Sequence, residues 1–376
     1  MSHDKTSPQK SESHVPMGST IGIVVGGQLG RMAALAAAPL GYRVHVYNDA
    51  PDSPTAQICS QETVAPYDDE AALEAFARSV DVVTYEWENI PLETLRIIER
   101  HCVVRPSPDI LEISQDRALE KQFANDAGLE TAPWVEVDSL EALRQAVIDL
   151  GTPCIIKSAR FGYDGKGQVK ISSPDQVEQA WEDLGKVRCI VEGLIDFRAE
   201  LSVIIARSPS GQVAIFDPVE NHHVEQVLEA TYAPARIEAP ILARAVEIAQ
   251  TLAGTMNLEG LLAVELFLTN DDRLLINEVA PRPHNSGHWT IDACHTSQFE
   301  QFVRAICNLP LGSPARHSDA IMHNLLGPIG PRWLETLQQP TTKLHLYGKK
   351  DARPGRKTGH ITRVLPLTEI NAAILE

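Results

Sequence analysis

Two apolar, β-prone runs, Leu262-Ala-Val-Glu-Leu-Phe-Leu268 and Leu274-Leu-Ile-Asn-Glu-Val279, flank the turn-forming Thr269-Asn-Asp-Asp-Arg273. Such a stretch has little choice but an antiparallel hairpin. With Asp271-Asp272 at the tip, counting back along both strands sets Glu265 opposite Glu278. Directly opposed side chains bring their Cβ atoms to about 4.5–5.5 Å, where like charges destabilise the pair. A hard divalent cation between the two carboxylates, completed by phosphate oxygens and water, removes that penalty and suggests Mg²⁺ at a nucleotide site. A solvated hairpin face, or a one-residue slip that parts the two, is the competing account.

The chain around this hairpin has 376 residues, 43% of them hydrophobic, enough for two or three domains with their own cores. Its 33 basic against 50 acidic residues, a balance of −17, argue against a nucleic-acid groove, which needs clustered cations. An anionic small substrate would need a local basic patch instead. The six cysteines are scattered with no Cys-x-x-Cys, so neither a zinc ribbon nor a disulfide framework is indicated. No apolar run reaches the length of a membrane span, and Met1 to Met17 lacks a signal-peptide core. A cytoplasmic protein is expected, with residues 1–19 as a disordered tail.

After that tail, Thr20-Ile-Gly-Ile-Val-Val-Gly-Gly-Gln-Leu-Gly-Arg31 reads as a buried strand, a glycine turn and a helix start. Strands at Tyr42–Tyr47 and Val80–Tyr85, with a helix over Glu70–Arg78 between them, complete a Rossmann-like half. Asp49 lies at a suitable distance to hold a ribose, which invites a dinucleotide reading. Yet the G-x-G-x-x-G fingerprint ending on Gly27 and Gly30 would need glycine where Val25 stands. A tight turn that merely uses glycine is favoured over NAD binding; free N–H groups at the helix start can still hold a substrate phosphate.

In the middle third, a capped helix is expected over Ser114–Lys121 and another over Ser139–Leu150, before the strand Cys154-Ile-Ile-Lys157. The loop Ser158-Ala-Arg-Phe-Gly-Tyr-Asp-Gly-Lys-Gly-Gln168 then joins two strands, so it is no strand-to-helix P-loop and lacks G-x-x-x-x-G-K-S/T. Its glycines let backbone N–H groups approach phosphate oxygens, with Lys157 as a fixed charge; a solvated hairpin tip is the alternative. Lysine at a strand end, glycine loop, acidic strand ends at Glu192 and Glu200, and then two opposed carboxylates together describe one nucleotide–metal cleft. His284 and His288 have a zinc spacing for a helix, but Pro283 and Asn285-Ser-Gly287 disfavour one there. Cys294 and Cys307 are read as packing residues.

These pieces resemble the ATP-grasp superfamily and, within it, the 5-(carboxyamino)imidazole ribonucleotide synthase family. The resemblance spans roughly residues 20 to 365. It rests on Gly27-Gln-Leu-Gly-Arg-Met32, Tyr85-Glu-Trp-Glu-Asn-Ile-Pro91, Gly162-Tyr-Asp-Gly-Lys-Gly-Gln168, Asn277-Glu-Val-Ala-Pro-Arg-Pro-His-Asn-Ser-Gly-His-Trp289 and Arg353-Pro-Gly-Arg-Lys-Thr-Gly-His360. It implies that Arg117, Lys157 and the loop residues Gly162, Tyr163, Asp164, Gly165, Lys166, Gly167 and Gln168 hold ATP phosphates, the loop acting as a lid. The backbone of Glu192, Gly193, Leu194 and Ile195 would meet adenine, Glu200 the ribose hydroxyls, and His223 the nucleotide side. Glu265 and Glu278, with Asn277 beside them, would hold Mg²⁺; Ala280 stands where many relatives have an asparagine.

The implied reaction uses ATP and bicarbonate to carboxylate 5-aminoimidazole ribonucleotide through carboxyphosphate, releasing ADP and phosphate. Arg282, His284, Tyr163, Asp164 and Lys166 would act at the reacting groups. The ribotide would meet Gly27, Gln28, Asn285, Ser286, Lys349, Arg356 and Lys357. The expected architecture is α/β: a Rossmann-like domain over 20–113, an ATP-grasp domain with its lid over 114–312, and a small β-rich C-terminal domain over 313–376. A homodimer is implied by resemblance alone.

Overall fold

A computed structural model describes residues 13–162 and 167–368. The first strand, Thr20–Val24, is buried on both faces, as its unbroken apolar run requires of a central parallel strand. It lies between Arg43–Asn48 and Val82–Tyr85 in a four-stranded parallel sheet completed by Gln61–Val64. A Cβ on Gly22 would come within 2.8 Å of Phe76, so glycine here lets the Glu70–Arg78 helix seat on the sheet. Immediately after the strand, Val25 adopts φ 72°, a left-handed conformation costly for a β-branched residue.

A long antiparallel sheet forms the centre. Its order runs Leu274–Ala280, Gly260–Thr269, Phe197–Arg207, Val219–Val224, Val227–Ala233, Asp319–Leu326, Lys357–Leu365, Thr342–Leu346, with Val213–Ile215 beside Phe197–Arg207. The helix Ala239–Thr255 covers one face through Leu242, Ile248 and Leu252. On the other face, Gln298–Ile306 buries Phe299, Phe302 and Ile306 in a core that also contains Met32 and Ala33 of the helix Gln28–Ala37. That shared core holds the N-terminal sheet against the central one. A third sheet, Trp134–Val137, Cys189–Gly193, Cys154–Ser158, Gln168–Ile171, is backed by the helices Leu140–Leu150 and Val177–Asp183.

Several expected boundaries move. Residues 13–19, expected to be loose, are tied down: Val15 is buried, its N–H donates to the Cys307 carbonyl, and its own carbonyl accepts from the Tyr42 hydroxyl. The helix expected over Ser114–Lys121 is two helices, Pro108–Gln115 and Arg117–Asp126. Asp116, not Ser114, is the cap, its carboxylate accepting from the N–H groups of Ala118 and Leu119. The boundary placed at 113–114 therefore falls inside a helix. Likewise the strands after residue 313 do not form a separate sheet but extend the central one through Val227–Ala233.

Phe302 is 2% exposed at the joint between the two larger sheets. Phe302→Ala should cost about 3–5 kcal/mol. A fall in the denaturant midpoint at unchanged m-value is the expected readout; a midpoint equal to wild type would show that this core does not hold the joint.

Candidate functional site

The hairpin pairs Glu265 with Glu278, but not by the expected turn. The connection is a five-residue loop with Asp272 at φ 63° and the Thr269 N–H bonded to the Arg273 carbonyl. Its register opposes Leu266 to Ile276, which continued would set Glu265 against Asn277. A bulge between these pairs inserts one residue and brings Glu278 back opposite Glu265. Bulges of this kind re-aim side chains at the cost of one ladder position. Here both Asn277 and Glu278 line the same cavity.

The carboxylates sit in unequal surroundings: the Glu265 side chain is 13% exposed and that of Glu278 42%. Burial, then repulsion from Glu278, pushes the Glu265 carboxyl up to about 8. His284 Nε2 lies 3.5 Å from Glu265 Oε1, while its Nδ1 shares a hydrogen with Ser286 Oγ at 2.8 Å. Burial and the nearby Arg282 hold this imidazole well below its ordinary range, so it is neutral. Among the described residues, Glu265, Glu278 and His284 form the one acidic–histidine group with ligand atoms all within 4.8 Å of one another. Ala280 is buried and its side chain offers no ligand atom. His288 instead bonds Gln298 through Nδ1, so the zinc spacing has no counterpart in space.

Two cavities meet at this group. The smaller, about 410 Å³, is lined by Arg117, Lys157, Gln168, Glu200, His223, Asn277 and the apolar Ile155, Phe197, Leu228 and Phe267. The larger, about 840 Å³, takes in Gln28, Glu86, Trp87, Glu88, Gly162, Arg282, Lys349, Arg353 and Arg356. Glu278, His284, Asn285 and Lys357 line both.

Within the smaller cavity, Glu200 Oε2 is 2.9 Å from His223 Nδ1. Burial disfavours a charge on this ring, but the Glu200 partner outweighs it and raises the histidine. Lys157, expected to be free for phosphate, is ion-paired with Glu192. Glu192 also meets the buried Lys121, whose Nζ is 2.5 Å away. Burial alone would raise this carboxyl, but the two ammonium groups hold it well below the usual carboxylate range. Burial pulls Lys157 down in turn, although its Glu192 partner opposes this. Gly193, Leu194 and Ile195 line neither cavity, and Leu194 is exposed.

Gly27, Ser286, Asn285 and Arg356, expected at the ribotide, have partners within the chain. The N–H groups of Gly27 and Gly30 donate to the Glu86 carboxylate, so this helix start already holds an anion from its own chain. That arrangement also removes the dinucleotide reading. Burial pushes the Glu86 carboxyl up to about 7 despite those donors. Ser286 is fully buried and accepts from Ser202 Oγ, which makes it a support for His284. Arg282 lines the larger cavity but is gripped by Glu88, with Nη2 at 2.8 Å from Oε1 and Nε on the other oxygen. Asn285 exchanges two hydrogen bonds with Asn324, at 2.9 and 2.7 Å, and Arg356 lies 3.2 Å from Asp351. Lys349 stands over the Tyr347 ring. Tyr163, Asp164, Gly165 and Lys166 lie outside the described residues, while the Gly167 carbonyl accepts from the Ser158 N–H. Glu86, Glu88, Lys121 and Glu120 were given no role beforehand, although Glu86 and Glu88 stand directly after a buried strand in the motif Tyr85–Pro91.

Three family models match successive parts of the chain: a ribonucleotide synthetase preATP-grasp domain over residues 18–115, an ATP-grasp domain over 122–299 and a phosphoribosylaminoimidazole carboxylase C-terminal domain over 320–370. An N5-carboxyaminoimidazole ribonucleotide synthase from Brucella melitensis is 47% identical over 353 residues, covering 93% of this chain and 98% of that one. The enzyme of the same name from Bacillus subtilis is 44% identical, covering 92% and 91%. A crystal structure of an ADP complex of such a synthetase superposes with a TM-score of 0.90 at 43% identity, covering 94% of each chain. The Aspergillus clavatus synthase in complex with ADP and 5-aminoimidazole ribonucleotide gives 0.87 at 31% identity, covering 93% and 94%.

Glu120 is buried behind the hairpin, accepting from the Val279 N–H, and its carboxyl is pushed up to about 8, first by burial and further by Glu278. The folded protein thus keeps a proton that the unfolded chain releases near pH 4.3. The resulting stability is full below that pH and is lost as pH rises through about 8. Glu120→Gln retains an acceptor for Val279 and should flatten this decline. Urea titrations at pH 5.5 and 8.5 in chelator check it: an equal decline in both proteins would mean that Glu120 does not titrate as described.

Proposed function

The chain belongs to the N5-carboxyaminoimidazole ribonucleotide synthase family, and on that premise we propose how its two-chambered cleft divides the work. The reaction is the ATP-dependent carboxylation of aminoimidazole ribonucleotide in purine biosynthesis. ATP occupies the smaller chamber and the ribotide the larger. One observation carries this division: the chambers share Glu278, His284, Asn285 and Lys357, so a phosphoryl group leaving one emerges in the other.

In the smaller chamber, the apolar Ile155, Phe197 and Phe267 receive the base, and Glu200 accepts from the ribose hydroxyls. Arg117 and Lys157 face the phosphates together with the loop from Gly162 to Gln168. Phosphate oxygens compete with Glu192 for Lys157, and Lys121 stays to neutralise the carboxylate left behind. Glu265 and Glu278 suit a hard divalent ion, for which Mg²⁺ is our assignment, and such an ion supplies charge neutralisation on the transferred phosphoryl group. Bicarbonate oxygen attacks the γ-phosphorus and the bond to the ADP oxygen breaks, giving carboxyphosphate. Its breakdown frees CO₂ and phosphate, and the exocyclic amine forms the new N–C bond and loses a proton. Arg282, held rigidly by Glu88, neutralises charge in this step, and neutral His284 accepts or relays hydrogen bonds. Tyr163, Asp164 and Lys166 complete our set of reacting-group contacts.

On the ribotide side, Lys349, Arg356 and Lys357 supply the cationic phosphate site in an otherwise acidic chain, with Gln28 opposite. We also propose a homodimer in the cytoplasm, from family membership and six free cysteines; a single 41.2 kDa protomer by light scattering would refute the dimer. No described helix is long and apolar enough to cross a membrane.

ADP release with Mg-ATP and bicarbonate, with and without the ribotide, tests the whole scheme. Turnover should depend on the ribotide and fall about 10²-fold or more in Glu278→Gln. Release indifferent to the ribotide would sink the substrate assignment. Arg356→Glu should raise the ribotide KM about 10-fold or more, since a charged contact becomes a repulsion, and leave the ATP KM alone; an unchanged ribotide KM removes Arg356 from the phosphate site.

A further inference from the structure

Gln115 ends the helix Pro108–Gln115, only 6% exposed, where three segments meet. Its Nε2 donates to the carbonyls of Glu88 and Ile90, each at 2.6 Å, and its Oε1 accepts from Arg160 Nη2 at 2.6 Å. A primary amide offers two N–H groups and one carbonyl. Both partners of the nitrogen are acceptors and the partner of the oxygen is a donor, so the amide has one orientation here. It clamps the backbone on both sides of Asn89, and Glu88 in turn holds Arg282 by two guanidinium nitrogens. Gln115, Glu88, Arg160 and Glu278 also line a small cavity of about 40 Å³ behind the shared wall of the two chambers. Gln115 lines neither main chamber.

We propose that Gln115 is a positioning residue for carboxyl transfer, fixing the 88–90 backbone so that Glu88 presents Arg282 to the reacting groups in the larger chamber. This rests on the ribotide-carboxylating function above. Loss of the clamp leaves two carbonyls without donors and frees the Glu88 backbone to shift, and displacements of about 1 Å at a reacting group can cost on the order of 100-fold. Glu88 and Arg282 line the larger chamber and not the smaller, so the ribotide step should suffer more than ATP binding.

The test compares wild type with Gln115→Met, which removes all three hydrogen bonds at similar volume, and Gln115→Glu, which keeps the acceptor for Arg160 but sets an acceptor against the two carbonyls. Both should lower kcat/KM for the ribotide about 10- to 100-fold with the ATP KM within about twofold. Combined with Arg282→Lys, either substitution should add little to the single Arg282→Lys defect, because the two act through one group. A lowered Tm with unchanged kinetics, or defects that multiply with Arg282→Lys, would overturn the proposal and leave Gln115 a structural staple. A wild type without ribotide-dependent ADP release would overturn the assigned function and this inference with it. An active wild type with unaffected variants overturns this inference alone.

Discussion

Two carboxylates facing each other where two cavities join are the constraint around which the rest is arranged. Glu265 and Glu278 repel, and burial of Glu265 deepens the penalty. Proteins retain such arrangements where a bound charge relieves them. The groups around them respond for different reasons: Arg117 approaches Glu278 at 4.0 Å, burial and the nearby Arg282 keep His284 neutral, and burial, with Glu278 adding to it, pushes the Glu120 carboxyl up. The joint is thus an acidic centre in which one carboxyl is pushed well above its ordinary range.

Elsewhere the cleft follows the opposite rule, with ligand-seeking groups already satisfied by the chain itself. Glu86 accepts the N–H groups of a helix start, Glu192 neutralises Lys157, and Glu88 holds Arg282. Pairing of this kind keeps buried cations charged and oriented, because an unpaired charge in such a place is costly and would relax by shifting its pKa. A substrate anion must therefore compete with an internal carboxylate, which makes binding a matter of exchange and gives geometry more weight than raw charge.

The fold class and the main features of the site were legible because they rest on periodicity and turn chemistry. The hairpin, the parallel N-terminal strands and the glycine loop between two strands all follow from local pattern. The Glu265–Glu278 pairing was predicted through a turn that does not form, and a bulge no propensity announces compensated for the error. Asp116 rather than Ser114 caps its helix because the carboxylate reaches two N–H groups at once, which depends on where the preceding helix stops. The in-chain partners of Ser286 and Gly27 were not legible, because a residue type shows what it can bond, not which partner arrives first through the fold. Val25 is the converse case: sequence marked the missing glycine, and the backbone nonetheless takes the left-handed turn there, lining the larger cavity.

The central sheet runs without interruption from the carboxylate hairpin at Leu274–Ala280 to the strand Thr342–Leu346. The chain therefore cannot be shortened at the C-terminal side without altering what lies inside. A protein ending before Asp319 would strip Val227–Ala233 of its neighbour and expose a row of unpaired backbone groups. Such a bare edge templates the addition of strands from other molecules. A chain cut in that region would carry such an edge and be prone to self-association.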